Sequence, residues 1–274
     1  MRLLGYLADG VPTIGVVRRD VVARLASVDD FYADVDAALA GADGAEASAR
    51  LDEVTQVPPV PAAAKVLCVG LNYQAHAAEA DMQVPDHPTV FGRWASTLIV
   101  NGDAMPIPPG EPGLDWEVEL AAVIGRTTHL ADHQTALQNV MAYTVFNDVS
   151  ARVHQLQTTQ WTLGKNADRT APIGPVLVTP DELGDIADLH LETRVNGNVM
   201  QTGWTKDMIF SVADIIAYIS ETITLEPGDV IATGTPGGVA LGRTPHCYMV
   251  DGDVVEVSID RIGSLRNPVR NYDE

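Results

Sequence analysis

Residues 114–125 read LDWEVELAAVIG, and the fold turns on how this run is read. Side chains of a β-strand alternate between two faces, so Asp115, Glu117 and Glu119 line one face while Trp116, Val118 and Leu120 line the other. An amphipathic strand with one wet face would show the same alternation. Past Glu119, however, Ala121 and Val123 continue the acidic face while Ala122 and Ile124 continue the other, so the strand becomes apolar on both sides. Acids leading into such a strand are not fully solvated. Crowded together they repel, and burying them unpaired is expensive, so the group calls for protons, basic partners or a cation.

Outward from this run, short strand candidates dominate: KVLCVG (65–70), TLIV (97–100), AYTVFNDV (142–149), IGPVLV (173–178), HLETRVNG (190–197), DVIATG (229–234) and DVVEVSID (253–260). Helical spacing interrupts them in NYQAHAAEA (72–80), DHQTALQNV (132–140) and SVADIIAYISETI (211–223). Upstream, RLLGYL, TIGVVR and VVARLA read as hairpin strands, and VDDFYADVDAALAGA (28–42) as a helix with Asp29 or Asp30 as its N-cap. An Ala- and acid-rich run followed by QVPPVPAAA reads as a connector, which sets a small N-terminal α/β domain at 1–60 against a main domain at 61–274. Strands this numerous between Pro- and Gly-rich turns predict an α+β, mainly β fold: a mixed β-sandwich roll rather than regular βαβ winding.

The 274 residues are enough for a substantial core, and 46% hydrophobic with 20% charged residues is a globular composition. A formal net charge of −20 argues against nucleic acid or an anionic membrane as a partner, and an anionic substrate would need a local positive centre. The opening MRLLGYLADGVPTIGVVRRD is broken by Gly, Asp and Pro before a signal-peptide core can form, and no apolar window has membrane-spanning length. A cytoplasmic protein is the expectation. Cys68 and Cys247 sit in apolar, strand-like contexts and read as buried thiols rather than a disulfide or metal framework.

Asp148, at the end of the apolar AYTVFNDV run, is ordinarily a cap or turn residue. With Glu117 and Glu119 it would complete three carboxylates, a set suited to Mg²⁺, Mn²⁺ or Ca²⁺ more than to zinc. On a helix, His76 and Glu79 would share a face, and a Glu holding an imidazole makes it a better general base. Lys165, leading into a buried strand, could neutralise the carboxylates or bind an anion. In ATGTPGGVA, Gly234, Gly237 and Gly238 permit close backbone approach, with Thr233 and Thr235 as hydroxyl donors, though a phosphate-loop ending is missing.

Taken in order, GLNYQAHAAEA, DWEVELAAVIG, FNDVSARVHQ, GKNADRTAPIGP and GDVIATGTPGGVA resemble the fumarylacetoacetate hydrolase family over about residues 65–260. The resemblance implies a β-roll core, usually a homodimer, and a divalent metal, most often Mg²⁺ or Mn²⁺, on Glu117, Glu119 and Asp148. It places the catalytic His and Glu on His76 and Glu79, in a segment that acts as a lid in several members, and the active-site lysine on Lys165. It also implies substrate contacts from Gln155 and Thr235; Gly234 is read as a further substrate contact through its backbone, and Arg152, though it matches its motif, reads as structural. The chain departs from the family pattern at Ala167, where an aromatic residue is usual, and at Arg93 and Trp94, in a stretch that often lines the pocket.

The reaction implied is hydrolysis of a C–C bond in a small anionic 2-oxo or 1,3-dicarbonyl acid of acylpyruvate type. The metal would stabilise an enolate, and His76 would activate water. Decarboxylation, isomerisation or tautomerisation, and hydration would use nearly the same residues. An inactive binding homologue and a cupin-type metal protein are the readings from other classes; cupins bring several His ligands, whereas this set is all carboxylate.

Overall fold

The computed structural model describes residues 1–74 and 85–272. The opening hairpins are β1 (Arg2–Ala8), β2 (Val11–Arg18) and β3 (Val21–Ser27), followed after two short helices by β4 (Ala47–Arg50). Next come β5 (Lys65–Gly70), β6 (Thr89–Trp94), β7 (Leu98–Ile99), β8 (Met105–Ile107), β9 (Val118–Ile124), β10 (Val140–Asn147) and β11 (Ala171–Val178). The last strands are β12 (His190–Val195), β13 (Asn198–Trp204), β14 (Val230–Ala232), β15 (Val254–Ile259) and β16 (Gly263–Asn271).

Among the described residues these form two mixed sheets. An eleven-stranded sheet runs β4-β3-β2-β1-β11-β10-β9-β14-β5-β6, with β7 beside β11; a five-stranded sheet runs β13-β12-β15-β16-β8. The chain is thus mainly β, as its sequence predicts. β9 lies deep inside the larger sheet, between β10 and β14, and every residue of it is buried. Its two faces serve different cores: Leu120, Ala122 and Ile124 join Val257, Leu265 and the helix Val212–Ser220, while Ala121 and Val123 join Phe31, Cys68 and Leu177. The wet-face reading of residues 114–125 therefore fails.

The first sixty residues enter the same sheet. β1 pairs with β11 through Arg2 opposite Val178 and Leu3 opposite Leu177, and Leu3, Ile14 and Phe31 share an apolar cluster with Val66 and Val123. The single helix read at 28–42 is two, Val28–Ala33 and Val35–Ala40, because Asp34 leaves helical geometry and caps the second by accepting from the Ala37 N–H. The first is capped by Ser27, whose hydroxyl accepts from the Asp30 N–H, and not by Asp29 or Asp30. Asp132 caps His133–Gln138, and Ser211 with Asp214 forms a capping box on Val212–Ser220. Cys68 is buried as read, but Cys247 is exposed, because residues 241–247 form an irregular loop rather than a strand. No helix among the described residues is long and apolar enough to cross a membrane.

Candidate active site

The acids are placed by strand ends. β9 starts at Val118, opposite Asn147 of β10, so Glu117 and Asp148 lie side by side just outside the paired region, joined by the Asp148 N–H donating to the Glu117 carbonyl at 2.9 Å. β14 stops opposite Ala121, and the chain beyond it brings the Gly234 N–H to Glu119 Oε2 at 2.8 Å. Gly234 has φ 97°, and a Cβ there would lie 2.7 Å from Asn72 Cβ and 2.9 Å from the Val69 carbonyl oxygen, so only glycine makes this approach. Asn72 holds that junction: its amide donates to the carbonyls of Thr233 (2.7 Å) and Phe210 (2.9 Å), and its oxygen accepts from the Phe210 N–H.

Carboxylate oxygens of Glu117, Glu119 and Asp148 lie within 4.8 Å of one another, and all three residues are buried. Three buried cations face the group. Lys165 Nζ donates to Glu117 Oε2 at 2.7 Å and Asp148 Oδ2 at 2.6 Å. Arg152 donates to Glu117 Oε1 at 2.6 Å and Asp115 Oδ2 at 2.8 Å. Arg93 pairs with Asp148 Oδ1 and also donates to the Val149 carbonyl and to Thr170.

Asp115 lies apart from the triad. It is wholly buried and accepts from Arg152 and from the N–H groups of Trp116, Ala240 and Leu241, so it is neither solvated nor one of the three clustered carboxylates. Its role is to pin the 238–241 loop to the helix Arg152–Leu156.

These four acids carry one more charge than the three cations balance, and Glu119 is where the surplus collects. Among the described residues no basic side chain touches Glu119; burial, then Asp148 and Glu117, push its carboxyl well above the ordinary carboxylate range, against the opposing pull of Lys165 and the Gly234 N–H. A divalent cation would resolve this. The donor set is all oxygen, buried and short of positive charge, so it could hold a hard metal ion, and the added charge would turn the local balance positive. Burial alone would lower the Lys165 ammonium, but Asp148 and Glu117 more than reverse that and raise it, so Lys165 stays charged. Burial opposes the Arg152 charge likewise, and Asp115 and Glu117 override it.

Of the residues read from the sequence, Glu117, Glu119, Asp148, Lys165, Gly234 and Gln155 meet here. Gln155 is buried, its Oε1 accepting from Arg152 at 2.8 Å. Gly164 packs the Lys165 helix against it: a Cβ on Gly164 would lie 2.3 Å from Gln155 Cβ. Thr235 follows Gly234 and is buried, its hydroxyl accepting from Gln201 at 2.9 Å.

Arg93 and Trp94 do not act as a pair. Arg93 is 3% exposed and committed to Asp148 and Thr170, whereas the Trp94 ring is 57% exposed beside Lys65 and Ala95, because successive residues of β6 point to opposite faces. His76 and Glu79 lie outside the described residues.

A cavity of about 810 Å³, which none of the three acids lines, is bounded by Tyr73, Met200, Thr202, Lys206, Met208 and the Pro236–Gly238 turn, among others. Tyr73 is 2% exposed, and its hydroxyl has no hydrogen-bond partner among the described residues. Burial, then Glu119 and Asp207, raise its phenol, so it remains a donor. Tyr73, Asn72 and Gln201 carry no mark in the sequence beyond ordinary polar and aromatic positions, which is why reading it passed over them.

Comparison with known proteins bears on this arrangement. The 2,4-didehydro-3-deoxy-L-rhamnonate hydrolase of Sphingomonas sp. (strain SKA58) is 45% identical over 241 residues, covering 86% of this chain and 84% of that protein. The human mitochondrial oxaloacetate tautomerase FAHD2A is 38% identical over 266 residues, covering 96% of this chain and 78% of its own. The crystal structure of 5-carboxymethyl-2-hydroxymuconate delta-isomerase from Mycobacterium smegmatis superposes with a TM-score of 0.82 at 30% identity, covering 99% of this chain and 100% of that one. The fumarylacetoacetate (FAA) hydrolase C-terminal family matches residues 65–270, a span that contains every acid and cation of the site, and the chain belongs to that enzyme family.

Proposed function

We propose that the chain is a divalent-metal-dependent hydrolase that splits a C–C bond in a small anionic 2,4-dioxo acid of acylpyruvate type, with Mg²⁺ or Mn²⁺ as the ion. The observation that carries this is the buried Glu117-Glu119-Asp148 triad, one positive charge short, together with the Tyr73 hydroxyl, which has no partner among the described residues. The 45%-identical relative supports the choice of reaction, since its name describes hydrolysis of a sugar acid oxidised at positions 2 and 4.

A divalent ion on Glu117, Glu119 and Asp148 would supply Lewis-acid polarisation of the substrate's 2-oxo and carboxylate oxygens. Lys165, held charged between Glu117 and Asp148, orients those two ligands and faces developing negative charge as a donor; it is not a base. The Gln155 amide nitrogen and the Thr235 hydroxyl would add neutral donors. His76, with Glu79, would remove a proton from water, the roles that the family resemblance gives them. The hydroxide adds to the remote acyl carbon, the C–C bond breaks, and its electron pair takes a proton at the carbon left on the 2-oxo acid. The products are a carboxylate and a 2-oxo acid.

The test is a turnover screen of metal-stripped protein with acetylpyruvate, oxaloacetate and an unsaturated 2-oxo dioate, with and without Mg²⁺ or Mn²⁺. Metal-dependent release of pyruvate and acetate, abolished in Glu117→Ala and lowered at least a hundred-fold in His76→Ala, is the expected result, consistent with the usual contribution of general-base catalysis of about 10²–10⁴. Metal-dependent enol–keto interconversion or double-bond migration without cleavage would replace hydrolysis with isomerase chemistry. Metal-independent behaviour of every substrate would end this reading.

A further inference from the structure

Gln201 lies on β13 opposite Thr193 of β12, at a bulge where the pairing shifts register before Arg194. Bulges re-aim side chains, and here the amide enters the space between the two sheets, 2% exposed. All four of its hydrogen-bonding positions are taken. Its oxygen accepts from the Val118 N–H (3.2 Å) and the Thr193 hydroxyl (2.8 Å), and its nitrogen donates to the Thr235 hydroxyl (2.9 Å) and the Pro236 carbonyl (2.8 Å). Turning the amide over would set its NH₂ against the Val118 N–H and its oxygen against the Pro236 carbonyl, so one orientation is locked.

The consequence falls on Thr235. Because Gln201 can only donate to it, the Thr235 hydroxyl accepts on that side, and its own proton has no acceptor among the described residues. That proton sits one residue from Gly234, whose N–H holds Glu119, and one residue from Pro236, which lines the cavity. The packing leaves little play: a Cβ on Gly203 would lie 2.5 Å from Pro236 Cβ, and one on Gly238 would lie 2.5 Å from the Met200 carbonyl.

We infer that Gln201 is a positioning residue that fixes the polarity of the Thr235 hydroxyl, so that it meets an anionic oxygen of the substrate as an obligate donor. Gln201 touches no substrate itself. This rests on the reading of the site as one for a 2-oxo acid, and the test separates the two claims.

The probe is oxalate, an anion with the oxygen spacing of a 2-oxo acid, titrated calorimetrically into the full-length protein in the presence of Mg²⁺. Wild type and Thr235→Ser bind it, and Thr235→Val weakens binding about ten-fold, the size expected for a hydrogen bond to a charged group. Gln201→Met weakens it about ten-fold in the wild type and less than two-fold in Thr235→Val, the non-additivity of residues acting as one unit. Should Gln201→Met fail to fold, Gln201→Glu serves, since its added charge weighs equally in both backgrounds and its loss should still be about ten-fold smaller in Thr235→Val. Equal losses in the two backgrounds would overturn the role of Gln201 while leaving the site's reading intact. Failure of the wild type to bind oxalate would overturn both.

Discussion

Glu119 is the residue on which the site's electrostatics turn. Its carboxyl is held well above the ordinary range by burial, Asp148 and Glu117, so without metal the fold is most stable where Glu119 keeps its proton, and stability falls as pH rises through its folded-state titration. Metal-stripped Glu119→Gln should therefore melt above metal-stripped wild type at pH 7, and the order should reverse with Mg²⁺ because only the wild type gains from binding; thermal melts with and without the ion check it. Arg93 acts in the opposite sense. Removing it as Arg93→Met leaves Asp148 buried beside Lys165 alone and should cost about 3 kcal/mol in denaturant unfolding, the usual penalty for stranding half a buried pair. At this scale the acids were legible in the sequence because charge in a doubly apolar run has few explanations. Arg93 was visible only as an unusual residue, since nothing in VFGRWAS tells which of two neighbours on a strand points inward.

The short helices Arg152–Leu156 and Thr162–Lys165 carry Gln155 and Lys165 and touch through Gly164. A methyl there cannot be absorbed at 2.3 Å, so Gly164→Ala should drive the helices apart and lower kcat/KM between about ten- and a hundred-fold, while Mg²⁺ affinity changes little. Steady-state kinetics beside a metal titration would show the split. Elements with a strong period or cap, such as β9, β10 and Val212–Ser220, could be read directly. These two helices could not, because at five and four residues they are too short for an apolar stripe and exist through tertiary contacts. The same limit explains β4 and β8, at four and three residues, whereas β6, β13 and β16, at six, seven and nine, were passed over because Gly, Asn or Pro interrupts their apolar pattern; at Asp34 a local cap overrode a continuous helical period.

At the level of the whole molecule, Trp94, Val153, Leu156 and Leu163 are exposed apolar side chains on the elements that carry Arg93, Gln155 and Lys165. We expect a homodimer to cover them, and light scattering should give twice the 29.2 kDa chain mass, reduced to the single mass by Leu156→Glu with Leu163→Glu. The union of β1 with β11 has a practical meaning for anyone cutting the gene. A fragment encoding only residues 65–270, the span the family match outlines, would keep every acid and cation of the site yet present the backbone of Leu177 and Val178 as an open sheet edge above a stripped apolar layer. Such a product should collect in the insoluble fraction, pairing copy to copy along β11, so the unit that inheritance marks out and the unit that can be expressed in soluble form are different lengths of chain.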